Sequence, residues 1–219
     1  MTPSSLANLP LPPGSAPPIL TPHSSLLTPP LRHYPTLPST NDTARQWALD
    51  GAPDGAAIVA DAQTAGRGSH GRPWQSPPGR GLYVSFVERP RAWPSAQAAD
   101  LALLAARAVC NALALAGLPS PPAVKPPNDV LVAGRKICGI LVESRLAFDR
   151  IDFFVAGFGV NIRHRPADFH PDWRPTATSC LQEGLDTTPA AFLPLLAASW
   201  HALLRADSRD FLPPPPSLA

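Results

Sequence analysis

The sequence has few of the residues that mark secreted or metal-binding proteins. It contains three cysteines in 219 residues, Cys110, Cys138 and Cys180, which are odd in number and far apart. This excludes a disulfide framework and the paired spacing of a zinc site. The six histidines also lack metal-ligand spacing. We therefore expect reduced thiols in a cytoplasmic protein and no metal site built from cysteine and histidine.

The chain also has little net charge and no leader-like start. Its formal charge is +2, and the arginines are scattered rather than gathered in a basic run, which gives little support to nucleic-acid or membrane-surface binding. The first arginine is Arg32, and no basic start precedes an unbroken apolar core, so neither a transit peptide nor a secretory signal is expected. Arg107 and Asn111 interrupt the longest apolar run, which predicts a packed helix rather than a membrane span.

Proline dominates both ends. We predict a disordered segment over residues 1–32, one folded domain over residues 33–208 and a loose tail over residues 209–219. The apolar fraction of 44% is enough for one sizeable core in that domain.

The middle of the chain alternates helical and strand-like patterns. Helices are predicted over residues 39–51, 95–117 and 188–207, and strands over 56–62, 82–88 and 150–162, with a hairpin over 128–144. Hairpins outnumber strand–helix alternation, which favours an α+β fold with a mixed, largely antiparallel sheet packed against helices.

The stretch GRGSHGRPW, residues 66–74, joins two predicted strands. Its glycines permit positive φ and close approach to a ligand, while Arg67 and Arg72 offer donors for phosphate or carboxylate oxygens. The spacing matches neither the phosphate loop nor the dinucleotide fingerprint. Taken alone, the stretch is equally typical of a mobile connection.

Four further stretches accompany this loop: STN at 39–41, KPPND at 125–129, GRKICGILVE at 134–143 and FGVNI at 158–162. With QTAGRGSHGRPW at 63–74 they resemble, in order, the catalytic domain of biotin protein ligase, where they commonly read STN, QxxGRGRxGRxW, KWPND, GRKxxGILxE and GxGxN. The resemblance covers roughly residues 35–200.

The resemblance implies a fold similar to class II aminoacyl-tRNA synthetases. It implies that biotin and ATP, with Mg²⁺, form biotinyl-5′-adenylate and pyrophosphate, and that biotin is then transferred to a lysine of a biotin carboxyl carrier protein of acetyl-CoA carboxylase. We expect a monomer or homodimer with no nucleic-acid or membrane partner. The family's C-terminal SH3-like barrel and N-terminal helix-turn-helix are not expected here, so DNA repression is not expected either.

Attack of a carboxylate on a phosphate brings two anions together and requires fixed positive charge. The resemblance assigns catalysis to Lys136, Arg67 and Asp129, with Lys136 contacting the biotin carboxylate and the adjoining phosphate. No serine, cysteine and histidine set points to a covalent enzyme intermediate. The residues expected to bind biotin or nucleotide are Ser39, Thr40, Asn41, Gln63, Gly66, Arg67, Gly68, Ser69, Arg72, Trp74, Lys125, Asn128, Lys136, Gly139 and Asn161.

Other roles remain open for these residues. Ser39 to Asn41 are also helix-capping residues, Asn128-Asp129 is also a common turn, and Lys136 also suits a solvated turn. Trp74, placed by the resemblance near adenine, also suits a loop anchor. Gly139 and Asn161 are also explained by strand geometry.

The chain departs from the family pattern at Pro126, which replaces a tryptophan, and at Ser69 and His70, which replace residues that are often arginine. Pro126 is expected to alter packing around the pocket, and Ser69 to loosen the loop over the adenylate. The alternatives are a lipoate or octanoate ligase or transferase, a non-catalytic biotin- or adenylate-binding protein, and a structural interaction domain.

Overall fold

The computed structural model describes residues 30–90, 93, 98 and 100–210. Within these residues the chain forms one seven-stranded sheet and three α-helices. The strands are β1 Leu31–Leu37, β2 Ala57–Gln63, β3 Gly81–Glu88, β4 Ala123–Lys125, β5 Asp129–Val132, β6 Arg135–Ala147 and β7 Arg150–Asn161, and the helices are α1 Thr40–Leu49, α2 Asp100–Leu115 and α3 Pro189–Asp210.

The strand order is β1-β2-β3-β7-β6-β5-β4. Strands β1 and β2 pair in parallel, and the remaining neighbours pair antiparallel. The prediction of an α+β fold with a mixed, largely antiparallel sheet is therefore confirmed.

Strand β7 shows how the sheet divides its two faces. Successive side chains of a strand point to opposite sides, and Ala156, Phe158 and Val160 belong to the large core cluster that contains buried residues of α2 and α3. Helices α2 and α3 pack against each other and onto that face. The alternate residues of β7 include Gly157 and Gly159, so the opposite face carries almost no side chains there.

Helix α1 covers the other end of that opposite face. Trp47 of α1 is buried in a second, smaller cluster with Tyr34 of β1 and Phe153 and Val155 of β7. The Arg32 guanidinium lies 3.8 Å from the centre of the Trp47 ring, closing the outer side of the cluster. Nearer the glycines, the Asn41 side chain at the start of α1 lies over Gly157.

Strands β1 and β4 are edge strands that the sequence pattern does not predict. Strand β1 begins at Leu31 and includes Pro35, so two residues of the segment predicted to be disordered belong to the sheet; residues 1–29 lie outside the described residues. Helix α3 extends to Asp210, two residues into the predicted tail, and residues 211–219 also lie outside the description.

The other predicted elements are present with shifted ends. The helix predicted over 95–117 is described as Asp100–Leu115, with residues 94–97 and 99 outside the described part. The predicted hairpin forms β5 and β6 around a turn at Ala133 and Gly134, which have φ values of 48° and 78°. None of the described helices has the length and apolar character that a membrane span requires.

The three cysteines are free thiols, as expected. Burial raises the pKa of the Cys180 thiol to about 12 and also raises the pKa of the buried Cys138 thiol. Both therefore remain protonated and weakly nucleophilic at neutral pH.

Candidate active site

A cavity of about 450 Å³ lies over the glycine end of the sheet face that carries α1. On its floor, Gly139 of β6 pairs with Gly159 of β7, and Leu141 pairs with Gly157. Glycine leaves strand backbone open to close approach. The sequence-predicted site residues that line this cavity are Ser39, Thr40, Asn41, Gln63, Arg67, Gly68, Ser69, Arg72, Trp74, Asn128, Asp129, Lys136, Gly139 and Asn161.

Two predicted ligand-binding residues, Gly66 and Lys125, do not line the cavity. The Gly66 carbonyl accepts a 2.8 Å hydrogen bond from the Trp74 amide, so Gly66 shapes the loop instead. Lys125 is exposed on the edge strand β4. Pro126, expected to alter the pocket, is also exposed and outside the lining; its bond to Pro127 is cis.

One end of the cavity is a polar network at the start of α1. The amide and hydroxyl of Thr40 both donate to Gln63 Oε1, at 2.8 and 3.1 Å. The hydroxyl of Ser85, a buried residue that sequence reasoning missed, lies 2.7 Å from Asn41 Oδ1 and 2.9 Å from Thr40 Oγ1. Asn41 Nδ2 donates to Glu143 Oε2 at 2.9 Å. The amide of Asn41 is thus used to join α1 to the sheet.

Ser39 is the N-cap of α1, as its sequence position predicts. Its Oγ accepts a long, 3.4 Å hydrogen bond from the Asp42 amide. The positive end of the helix therefore lies at the cavity, where it favours polar or anionic ligand groups. Ser39 therefore both caps α1 and lines the cavity.

The glycine-rich loop is folded back on itself rather than open. The Gly68 amide donates to the Arg72 carbonyl at 2.7 Å, and an antiparallel bridge joins Arg67 to Pro73. At its tip His70 and Gly71 have positive φ values of 58° and 69°. The amides of Gly68 and Trp74 are thus paired within the loop and are not free to bind an anion.

Arg67 is held by α1. Its guanidinium makes a bidentate contact with the Asp42 carboxylate, at 2.6 and 2.5 Å, and this hydrogen bonding raises the pKa of Arg67 further. Arg72 makes weaker contacts of 3.3 and 3.4 Å with Ser69. The ion pair between Arg67 and Asp42 anchors the loop to α1, whereas Arg72 is exposed and available to a ligand.

Lys136 and Asp129, both predicted to be catalytic, are in contact. Lys136 Nζ lies 2.6 Å from Asp129 Oδ1 and 5.2 Å from the centre of the Trp74 ring. The side chain of Lys136 is 32% exposed, so its charge is partly desolvated yet open to the cavity. This is an ammonium group poised for a carboxylate or phosphate.

Trp74 lies flat on the glycine floor. A β-carbon added at Gly139 would come within 2.8 Å of Trp74 Cζ3, and one at Gly159 would overlap its indole nitrogen and Cε2. The buried Trp74 Nε1 has no hydrogen-bond partner within the described part of the chain. The two glycines therefore make room for this ring.

A segment that sequence reasoning missed closes the far end. The cavity is lined here by Phe169, Trp173, Thr176 and Ala177. These residues belong to a segment that contains two short 3₁₀ helices, Pro166–Asp168 and Pro171–Trp173. Their stretch has no periodic pattern, and its only cue was two aromatic residues in a polar loop. The Lys136 amide donates to the Thr176 carbonyl at 2.7 Å, which joins this segment to the start of β6.

His164 supports that segment from below. Its ring stacks on Phe169, with centroids 5.0 Å apart, and burial lowers its pKa to about 4. The unfolded chain binds a proton near the ordinary histidine pKa of about 6.5, so stability from this group is present above pH 6.5 and is lost as the pH falls toward 4.

We expect the free energy of unfolding to fall by about 2 kcal/mol from this residue between about pH 7.5 and about pH 5. Urea unfolding at the two pH values measures the change. His164→Phe keeps the stacked ring and removes the titration, so its decrease over the same interval is expected to be smaller by that amount. Equal decreases in the two proteins would contradict the assignment.

The comparisons agree with this architecture. Residues 34–161 match the family model described as the biotin/lipoate A/B protein ligase family. The chain is 38% identical over 181 residues to a Biotin--[acetyl-CoA-carboxylase] ligase of Paracoccus denitrificans, covering 80% of this chain and 73% of that protein. It is 39% identical over 153 residues to the bifunctional ligase/repressor BirA of Bacillus subtilis, covering 69% of this chain and 46% of BirA, so it spans about half the length of that relative.

Among solved structures, the biotin protein ligase of Aquifex aeolicus in complex with biotin and ATP superposes with a TM-score of 0.69 at 28% identity, covering 82% of this chain and 72% of that one. The fold and site define an α+β domain with a cavity that contains Lys136 and Asp129 above paired glycines of β6 and β7. The chain belongs to the biotin/lipoate A/B protein ligase family.

Proposed function

We propose that this protein activates biotin with ATP, giving biotinyl-5′-adenylate and pyrophosphate, and transfers the biotinyl group to a lysine of a biotin carboxyl carrier protein. The observation that carries the proposal is the order of groups along β7. Asn41 lies at Gly157, Trp74 lies at Gly159, and the carbonyl of Lys136 lies near Asn161. Strand residues rise about 3.4 Å each, so this series spans roughly 14 Å.

That series suits a ligand with a polar ring at one end and a carboxylate at the other. Thr40 and Gln63 offer donors and acceptors to a ureido ring, Trp74 and the glycine floor offer apolar contact, and Lys136 receives the carboxylate. Phe169 and Trp173, beyond Lys136, supply aromatic surface for adenine. In this proposal Lys136 exchanges its contact with Asp129 for contacts with the substrate anions.

In the first step a biotin carboxylate oxygen attacks the α-phosphorus of ATP, a C–O–P anhydride forms and pyrophosphate leaves. Lys136 and Arg72 offset the charge that accumulates between the two anions. In the second step the carrier lysine amine attacks the acyl carbon and AMP leaves. The loop and the 166–177 segment hold the adenylate and exclude water, which would otherwise hydrolyse it.

Magnesium is compatible with the residues present. Among the described residues no group of three or more His, Cys, Asp or Glu is arranged to hold a metal ion. Asp129 is the single carboxylate among the described cavity-lining residues, and Mg²⁺ commonly binds through one or two carboxylates together with substrate phosphates. Asp129, next to the Asn128 amide, would hold such an ion, whose charge would offset that of the phosphates.

The direct test is biotin-dependent exchange of labelled pyrophosphate into ATP, followed by biotinyl transfer to a carrier domain. Exchange with biotin and none with lipoate or octanoate is expected. Exchange with lipoate alone would assign the protein to the other branch of the family. Binding of biotin without exchange would show a non-catalytic protein, and no thermal shift with biotin or ATP would favour a structural domain.

Ser69→Arg tests whether the altered loop centre weakens retention of the intermediate. Ser69 lines the cavity, and its hydroxyl accepts a weak, 3.3 Å hydrogen bond from Arg72, so an arginine there adds charge on the cavity side of the loop. We expect adenylate release, followed by rapid-quench chromatography, to be several-fold slower. His70→Arg, at an exposed position outside the cavity lining, is the matched control and is expected to change the rate less. Equal rates in wild type and Ser69→Arg would show that Arg72 suffices.

A further inference from the structure

The pairing of strands in the sheet does not by itself fix the position of Lys136. It is the second residue of β6, directly after the turn at Ala133 and Gly134. The pairing of β5 with β6 shifts register between Val130 and Leu131, next to the pair Leu131–Lys136. Strand ends at such irregular pairings are weakly held, so another contact must fix the backbone from which the Lys136 side chain projects.

The neighbouring chain segment supplies that contact. The Lys136 amide donates to the Thr176 carbonyl at 2.7 Å, and the Thr178 amide donates to the Lys136 carbonyl at 2.9 Å. Asn161 Nδ2 donates to the Thr178 carbonyl at 2.9 Å. Lys136 is therefore held in a parallel bridge to the loop that carries two cavity-lining residues, Thr176 and Ala177.

One carboxylate ties both sides of this bridge together. Glu183 Oε1 accepts a 2.6 Å hydrogen bond from the Thr178 hydroxyl and a 2.7 Å hydrogen bond from Arg135 Nη2. The Glu183 side chain is 8% exposed, so its carboxylate is largely shielded from water, whereas the Arg135 side chain is 37% exposed. Arg135 precedes Lys136 in β6, and the Thr178 amide donates to the Lys136 carbonyl. Glu183, Arg135, Lys136 and Thr178 therefore form a closed ring of contacts.

We infer that Glu183 is a positioning residue for Lys136, acting through Arg135 and Thr178, and that it sets the rate of adenylate formation without touching substrate. This inference rests on the proposed function. Among the described residues, the hydrogen bonds between Thr40 and Gln63 at the polar end of the cavity are separate from this ring, so biotin keeps that polar end when the ring is broken. It loses at most the part of its affinity that the contact of its carboxylate with Lys136 supplies. A displacement of about 1 Å at a reacting centre costs up to about 100-fold in rate.

The test measures biotin-dependent pyrophosphate exchange and biotin affinity for Glu183→Ala and Glu183→Gln. Glu183→Ala is expected to lower kcat roughly 10- to 100-fold while the biotin dissociation constant rises by less than about fivefold, because only the contact with Lys136 is disturbed. Glu183→Gln keeps an acceptor oxygen for Thr178 and is expected to recover part of kcat. If the alanine variant fails to fold, Glu183→Gln carries the test, with a loss of kcat that exceeds its loss of biotin affinity.

Asp186→Ala is the matched control. Asp186 is 72% exposed, lies three residues from Glu183 and pairs with Arg163 outside the ring. Its removal is expected to leave kcat unchanged. An unchanged kcat in both Glu183 variants, or a parallel loss of kcat and biotin affinity, would overturn the inference, since the second result indicates only a structural role.

Hydrogen exchange separates this inference from the proposed function. The amides of Lys136 and Thr178 are expected to exchange faster in Glu183→Ala than in wild type and to be unchanged in Asp186→Ala. Equal protection in wild type and Glu183→Ala would overturn the positioning role even in an active enzyme. Absence of biotin-dependent pyrophosphate exchange in the wild-type protein would refute the proposed function. Hydrogen exchange at the Lys136 and Thr178 amides would still decide the role of Glu183.

Discussion

Lys136→Ala is expected to reduce biotin-dependent pyrophosphate exchange by at least about 100-fold while leaving the protein folded. The variant removes the ammonium group that lies between the two reacting anions in the proposed mechanism. It also leaves the Asp129 carboxylate in the same cavity without the ammonium group that lies 2.6 Å from it in the wild-type protein. Both changes raise the free energy of the transition state more than that of the folded protein.

The chain offers an unusually clean control, because Lys125 and Lys136 are its two lysines. Lys125 is exposed on an edge strand and outside the cavity lining, so Lys125→Ala is expected to keep most of the exchange activity. Thermal unfolding of both variants checks that the fold is retained. An unchanged exchange rate in Lys136→Ala, or a loss confined to Lys125→Ala, would show that the wrong lysine has been assigned.

The parts of the site that the sequence predicts are those built by local rules. Ser39 caps a helix because a short polar side chain precedes a helical run, and the turn at Ala133 and Gly134 follows from a glycine between two apolar stretches. The alternation in VAGFGVN already puts the glycines on one face and the apolar residues on the other. These rules predict the elements that carry the cavity residues, whereas the resemblance to the family motifs predicts which of their residues bind ligand.

The remaining parts depend on contacts between distant residues. Ser85 meets Asn41 across 44 positions, and Arg67 meets Asp42 across 25, because strand order and register bring them together. The 166–177 segment closes the cavity without any helical or strand period, so no local rule identifies it. Strands β1 and β4 are short edges with proline in or beside them, which weakens the strand pattern.

Gly157→Ala is expected to lower the free energy of unfolding by roughly 2–4 kcal/mol. A β-carbon at this position would overlap the side-chain oxygen of Asn41, which is buried and cannot move without breaking its hydrogen bonds to Ser85 and Glu143. The cost combines overpacking with unpaired buried polar groups. Urea unfolding measures it, and a loss below about 1 kcal/mol would show that α1 can shift without penalty.

Gly159→Ala is the informative comparison, because it lies two residues along the same strand face. There the added methyl group meets the ring of Trp74, which belongs to a loop and whose indole nitrogen has no hydrogen-bond partner among the described residues. We expect the Trp74 ring to shift while the Arg67–Asp42 pair keeps the loop attached to α1, so that stability falls by less than about 1 kcal/mol. Biotin affinity is expected to fall at least about tenfold, because the displaced ring lines the cavity. Stability loss at Gly157 with binding loss at Gly159 would establish that the first glycine accommodates the fold and the second accommodates the ligand.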